Sequence, residues 1–237
     1  MSPFDNQHVR ENEKKAAWVL QLDILPYDQA LRLQEELVVK RREGNIRDLL
    51  MLLEHPPVVT VTREKTRENI IVPLDRLAKE GIIIAKTNRG GDVTYHGPGQ
   101  LVGYLIMDLN HYGNDLHDYV HNIETIIINL LKDYEIVAYR DSRYPGVWVN
   151  DEKIAAIGIA VKSKWITMHG FALNVNPNLT HFSYIFPCGI KDRGVTSLAK
   201  VLGKAVDKQE LRPRLIYHFS NVFNLKTEEI LRGDMVW

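Results

Sequence analysis

Arg89-Gly90-Gly91-Asp92-Val93-Thr94-Tyr95-His96-Gly97-Pro98-Gly99-Gln100 is the stretch on which the reading of this chain turns. It holds four glycines and one proline in twelve positions, between the apolar runs Ile82-Ile83-Ile84-Ala85-Lys86 and Leu101-Val102-Gly103-Tyr104-Leu105-Ile106-Met107. A plain hairpin needs only about two to five loop residues, so this connection is longer than its topological task. It is also richer: a flexible linker would not carry Arg, Tyr and His. Gly90 and Gly91 leave no Cβ to obstruct a ligand approaching the backbone. Arg89 and His96 offer donors, and Gly97-Pro98-Gly99 is a turn with φ partly fixed by the ring. The stretch reads as one wall of a binding cleft. An ordinary long surface loop is the competing reading. The spacings of a phosphate loop and of a dinucleotide-binding turn are both absent.

Outward from the loop, short β-rich runs alternate irregularly with helical ones. Residues 28–42 predict a helix, with Asp28 as its cap and Gly44 as its stop. Residues 115–133 give the clearest amphipathic pattern. Strands are expected at 16–24, 49–54, 58–62, 136–138, 147–149, 153–161 and 165–175, and helices after Thr196 or Ser197 and over 208–223. The turns between the later strands are short, which favours antiparallel neighbours. The absence of a βαβ rhythm predicts an α+β fold of mixed, largely antiparallel sheets with flanking helices.

At 237 residues the chain suits one domain. Residues 1–15 are polar and read as a mobile N-terminal arm, and residues 16–237 as a single catalytic domain. Lys plus Arg and Asp plus Glu balance at 30 each, which argues against a surface devoted to nucleic acid. No apolar run approaches the ~20 residues of a membrane span. The chain carries one cysteine, which excludes an intrachain disulfide and suits a reducing cytoplasm. A monomer is expected.

That cysteine, Cys188, sits in Pro187-Cys188-Gly189, a turn composition, with Lys191 and Arg193 following. A small buried hydrophobe is its ordinary reading; a thiol in a loop near cations is also where a thiolate is favoured. Lys153 begins a strand of small residues and is the preferred proton-transfer partner; a solvated hairpin lysine is the alternative. His117, His121 and Glu124 share a helix face without a zinc-binding pattern, so no metal is expected.

Several motifs together resemble the lipoyl(octanoyl) transferases. They are the glycine-rich stretch, Leu53-Glu54-His55-Pro56-Pro57, Gly146-Val147-Trp148-Val149 with Lys153-Ile154-Ala155-Ala156-Ile157-Gly158, His169-Gly170-Phe171-Ala172-Leu173-Asn174-Val175, and Pro187-Cys188-Gly189-Ile190. They run in the family's order from about residue 27 to 198. Val61-Thr62-Arg63 departs from the Leu-Gly-Arg run usual there. The resemblance implies a fold like the biotin and lipoate protein ligases and no cofactor. It implies transfer of octanoyl from octanoyl-acyl carrier protein to the lysine of apo lipoyl domains, on 2-oxoacid dehydrogenase E2 subunits and the glycine cleavage H protein. Cys188 would carry the acyl thioester and Lys153 would shuttle protons. Arg89, Gly90, Gly91, Asp92, Val93, Thr94, Tyr95, His96, Ala156, Ile157, Gly158, Gly170, Phe171 and Ala172 would line the acyl site. Lys191, Arg193, Arg140 and Arg143 are candidates to dock an acidic carrier. The rival readings are an ATP-dependent lipoate or biotin ligase of the same fold and a non-catalytic carrier-binding protein.

Overall fold

The computed structural model describes residues 14–186 and 193–234. Residues 1–13 of the expected arm, Cys188 and Lys191 lie outside them. In chain order the elements are β1 (Lys15–Ile24), α1 (Tyr27–Arg42), β2 (Asp48–Glu54), β3 (Val58–Val61), α2 (Leu74–Lys79), β4 (Ile83–Lys86), β5 (Thr94–His96) and β6 (Gln100–Ile106). Then come α3 (Leu116–Lys132), β7 (Tyr139–Arg140), β8 (Val147–Val149), β9 (Glu152–Lys162), β10 (Ile166–Asn174), α4 (Leu198–Leu202), α5 (Lys208–Val222) and β11 (Leu225–Ile230).

They build an eight-stranded sheet, in the order β11-β1-β2-β6-β10-β9-β8-β7, and a three-stranded sheet, β4-β3-β5. Among the described strands, parallel pairing is confined to β1 with β11, β1 with β2 and β3 with β4. The α+β class and its largely antiparallel character are therefore present. One face of the large sheet packs on α3 and α5 through Ile123, Ile127, Leu211 and Leu215. The other packs on α1 through Ala30, Leu33 and Leu37. The small sheet has its own core of Val59, Val61, Leu77, Val93 and Tyr95.

Two local expectations change. Asp28 is not the cap of α1: Pro26 holds that position without a side-chain bond, and Asp28 pairs with Arg32 one turn on. The strand expected at 136–138 starts later, at Tyr139. Residues 134–136 are used to close α3: Glu135 turns at φ 59° and the Ile136 amide donates back to Leu131 O at 3.1 Å. That is the geometry of a helix ending in a left-handed residue, with the following apolar side chain folded onto the core.

The glycine-rich stretch crosses from the small sheet to the large one. β5 pairs with β3, matching His96 to Val58, and β6 enters the centre of the large sheet. Gly99 has φ +90°, and a Cβ there would lie 2.4 Å from Asn176 O. Its amide donates to Glu54 Oε2 at 2.7 Å, while Lys208 binds the other oxygen of that carboxylate. A half-buried ion pair thus fixes the turn that opens β6.

Candidate active site

A cleft lies between the two sheets, with about 420 Å³ of empty space including its mouth. Its floor follows from strand register. Val102, Ala172 and Ala156 pair across β6, β10 and β9, and Tyr104, Gly170 and Gly158 form the next row. Both rows are small residues on β9 and β10, which leaves a trough in an otherwise packed sheet. Thr94, His96 and Arg89 form the roof, and Tyr27 at the start of α1 closes a side. A second cavity of about 320 Å³ adjoins it. The two share Thr94, Ala156 and Ala172, and the second reaches Lys153, Gln100, Asn174 and Val195.

Lys153 reaches this floor because of a β-bulge. Along β8 and β9, Trp148 pairs with Lys153 but Val147 pairs with Ala155, so β9 has one extra residue. Ile154 and Ala155 consequently both turn into the core under α3. Without the bulge, Lys153 and Ala156, three apart, would face opposite sides of the sheet. Lys153 is 6% exposed. Its ammonium lies 3.1 Å from Pro145 O and 4.9 Å from the centre of the Trp148 ring. Its backbone is bonded to the returning chain: the Lys153 amide to Gly194 O and the Thr196 amide to Lys153 O, both at 3.0 Å.

The segment that carries Cys188 is anchored at both ends. Upstream, the Phe186 amide donates to Asn69 O at 2.8 Å and Ile185 bridges to Ile70. Downstream, Arg193 binds Asp141 at 2.9 Å with its guanidinium 5.0 Å from the Trp148 ring centre, and Val195 bridges to Lys153. Arg193 is therefore engaged within the chain, and Arg143 binds the same Asp141. Arg140 pairs with Glu124, whose other oxygen accepts from the Gly146 amide. This accounts for Glu124 on the helix face once considered for metal. Among the described residues no cluster of three or more His, Cys, Asp or Glu is placed to hold a metal ion.

Of the glycine-rich stretch, Arg89, Thr94 and His96 line the cleft. Gly90 and Gly91 border an outer groove with Gly158 and Lys153. Val93 and Tyr95 alternate away from the cleft into the small core. Asp92 braces the loop, accepting from Asn69 Nδ2 and from the Val93 amide. Arg89 is a brace as well: it donates to Thr60 Oγ1, Asp92 O and Gly90 O. Its stem lies over Gly158, where a Cβ would meet Gly90 O at 2.9 Å and Arg89 Cδ at 3.1 Å. The Gly90 amide also donates to Ile159 O at 2.7 Å. Phe171 turns its ring onto Gly103 in the core under α3 and α5, so it borders the cleft mainly by its backbone.

Sequence reasoning left Tyr27, Val102, Tyr104, Gln100 and Asn174 unassigned. Gln100, Val102 and Tyr104 alternate along β6, and that period of two was the available signal. Three buried histidines stand beside them, of which His96 was already expected at the acyl site. His55 Nδ1 faces Leu25 O and Nε2 faces Tyr104 Oη, both at 2.7 Å. A carbonyl only accepts, so the ring is protonated on Nδ1 and accepts from the tyrosine. Burial pushes its pKa down to about 4. His96 is pushed well below its usual value by burial, with His55 and Arg89 adding repulsion. His169, 2.7 Å from Asn88 Oδ1, is lowered to about 3, first by burial and then by Arg89. Burial raises the Tyr104 pKa well above normal and also raises that of Tyr27. The cleft is thus lined by neutral rings.

A family model described as the lipoyl protein ligase A/B catalytic domain matches residues 26–220. An octanoyltransferase of Desulforamulus reducens is 50% identical over 214 residues, 90% of this chain and 93% of that protein. The chain belongs to the octanoyltransferase family. As a member of it, the protein is an acyltransferase. The fold is also that of the lipoate and biotin protein ligases. A chain from a study of a bi-partite lipoate protein ligase and its E2 lipoyl domain from Thermoplasma acidophilum superposes with a TM-score of 0.72 at 20% identity, covering 92% of this chain and 87% of that one. A biotin protein ligase of Aquifex aeolicus, solved with biotin and ATP, gives 0.53 at 16% identity, covering 89% and 71%. This octanoyltransferase-family chain has no helix among its described residues long and apolar enough to cross a membrane.

Proposed function

We propose that the protein transfers an octanoyl group from octanoyl-acyl carrier protein to the lysine of lipoyl domains, through a thioester on Cys188. The acceptors are the E2 subunits of 2-oxoacid dehydrogenases and the glycine cleavage H protein. The observation that carries this reading is the trough of Ala156, Ala172, Gly158 and Gly170, which leads to a buried Lys153 whose backbone holds the chain returning from Cys188. A trough without bulk suits an alkyl chain.

In the first step the Cys188 thiolate attacks the thioester carbonyl, and the carrier's sulfur leaves with the electron pair of the broken C–S bond. One thioester replaces another, so no ATP is consumed. In the second step the acceptor lysine, as the neutral amine, attacks the acyl-enzyme. The amide forms, the C–S bond to Cys188 breaks, and the amine's proton must be removed. Lys153 is the group that moves protons between amine and sulfur. Dividing the transfer into two steps lets each partner dock in turn.

The test is intact mass after mixing the protein with octanoyl-acyl carrier protein without ATP, for wild type and Cys188→Ala. The expected result is an octanoyl adduct on wild type alone, released by hydroxylamine or by an apo lipoyl domain. Transfer that appears only with free octanoate and ATP would assign the chain to the ligases instead.

A further inference from the structure

We infer that Tyr104 and His169, with Tyr27 beside them, form the end wall that sets the length of acyl chain this enzyme accepts. This rests on the acyl-transfer reading above and adds a specificity role to residues outside the reacting centre. The argument starts from register. Gln100, Val102 and Tyr104 mark successive rows of the trough on β6, matched by Asn174, Ala172 and Gly170 on β10. Gln100 and Asn174 sit at the Lys153 end and Tyr104 at the far end. Four residues of strand separate Gln100 from Tyr104, roughly 13 Å at about 3.3 Å per residue. An extended chain advances about 1.2 Å per backbone bond, so an octanoyl group with its seven C–C bonds spans roughly 8–9 Å. A carbonyl held at the Lys153 end leaves roughly 4–5 Å between the terminal methyl and the Tyr104 row, about one apolar contact distance, so the methyl rests against that row.

Beyond that row the trough stops. The next residues on this face, Ile106 and Met168, are buried under α1 against Leu33 and Leu37. The wall itself is held rigidly. His169 lies within β10 at φ +64°, a conformation a bulky residue adopts only when its surroundings enforce it. Its amide donates to Gln34 Oε1 of α1 at 2.8 Å, and its ring is held by Asn88. Tyr104 is fixed through His55, and the Tyr27 hydroxyl donates to Thr87 Oγ1 at 2.6 Å. Tyr104 Oη, Tyr27 Oη and His169 Nε2 thus each have a protein partner and are not left facing the acyl chain. Such a wall accepts a methyl terminus and blocks further methylenes.

The experiment compares octanoyl-, decanoyl- and dodecanoyl-acyl carrier protein as donors for wild type, Tyr104→Ala, Tyr104→Phe and His169→Gly. Glycine suits the backbone at 169, so that variant keeps the fold even if Tyr104→Ala does not. A buried methylene contributes about 0.8 kcal/mol, so two newly housed ones should raise the decanoyl-to-octanoyl ratio of kcat/KM by roughly tenfold in both opened variants. Tyr104→Phe should keep the wild-type ratio. The same ratios are read from calorimetric binding of free octanoate and decanoate, which requires no turnover. If wild type acylates from no carrier donor, the function proposed above fails, and the binding ratios still decide the wall. Folded His169→Gly with both ratios within twofold of wild type would overturn it.

Discussion

Lys153 lies where it does because β9 carries one extra residue against β8. The bulge turns its side chain onto the cleft face, and there the ammonium meets a carbonyl and the face of Trp148 rather than water. Lys153→Met keeps the length and the apolar stem. We expect it to fold with a near-native melting temperature and to lose on the order of 10²–10⁴-fold in kcat, the scale of a lost proton-transfer group. KM for the carrier-linked donor should move far less. The check is steady-state kinetics beside a thermal melt; an unchanged kcat would remove Lys153 from proton transfer. This lysine was picked out by a motif that resembles the family's; its residue type alone reads as a solvated hairpin lysine. Its direction was not legible. Strict alternation puts Lys153 and Ala156 on opposite faces, and nothing in Lys153-Ile154-Ala155-Ala156 announces an inserted residue. His169 was similarly opaque, since a positive φ in a strand has no composition signal when the residue is not glycine.

Between elements, the decisive contact is that of the glycine-rich loop with β9. Gly90 and Gly158 approach backbone to backbone, with the Arg89 stem laid across the gap. Gly158→Ala puts a methyl group 2.9 Å from Gly90 O, so the loop must lift away from the strand. The expected outcome is a stability loss of about 1–3 kcal/mol, typical of overpacking. A rise in KM for octanoyl-acyl carrier protein of roughly tenfold should accompany it, because the roof of the trough no longer sits on its floor. Urea denaturation and donor-dependent kinetics measure the two parts. A KM equal to wild type would mean that the loop does not shape the acyl site. At this scale the helices were largely readable: α3 carries a regular apolar stripe and an Asp115 cap, and α4 starts at Ser197. Sheet order was not. The parallel pairing of β1 with β11 joins the two ends of the described chain, and no local pattern encodes a partner some 200 residues away.

The molecule as a whole buries three histidines, His96 and His169 in the cleft and His55 against Tyr104, and keeps them neutral, which ties folding to pH. The unfolded chain takes up protons on these rings near the ordinary value of about 6.5. The folded protein does not protonate His55 until about pH 4 or His169 until about pH 3, and His96 lies lower than its normal value as well. Between those limits the unfolded state binds more protons, so stability falls as pH falls. Each ring held neutral contributes a loss of about 2 kcal/mol between pH 7.5 and pH 5. The expected result is a urea midpoint that drops steeply over this range, before most carboxylates begin to titrate. His55→Gln removes one titrating ring while leaving an amide able to face Leu25 O or Tyr104. It should reduce the pH 7.5-to-5 loss by about 2 kcal/mol, whatever it does to stability at pH 7.5. An identical pH slope in wild type and His55→Gln would mean that this ring is charged in the folded protein. The fixed end of the trough would then need a different account, because a charged His55 could no longer accept from Tyr104 and hold it in place.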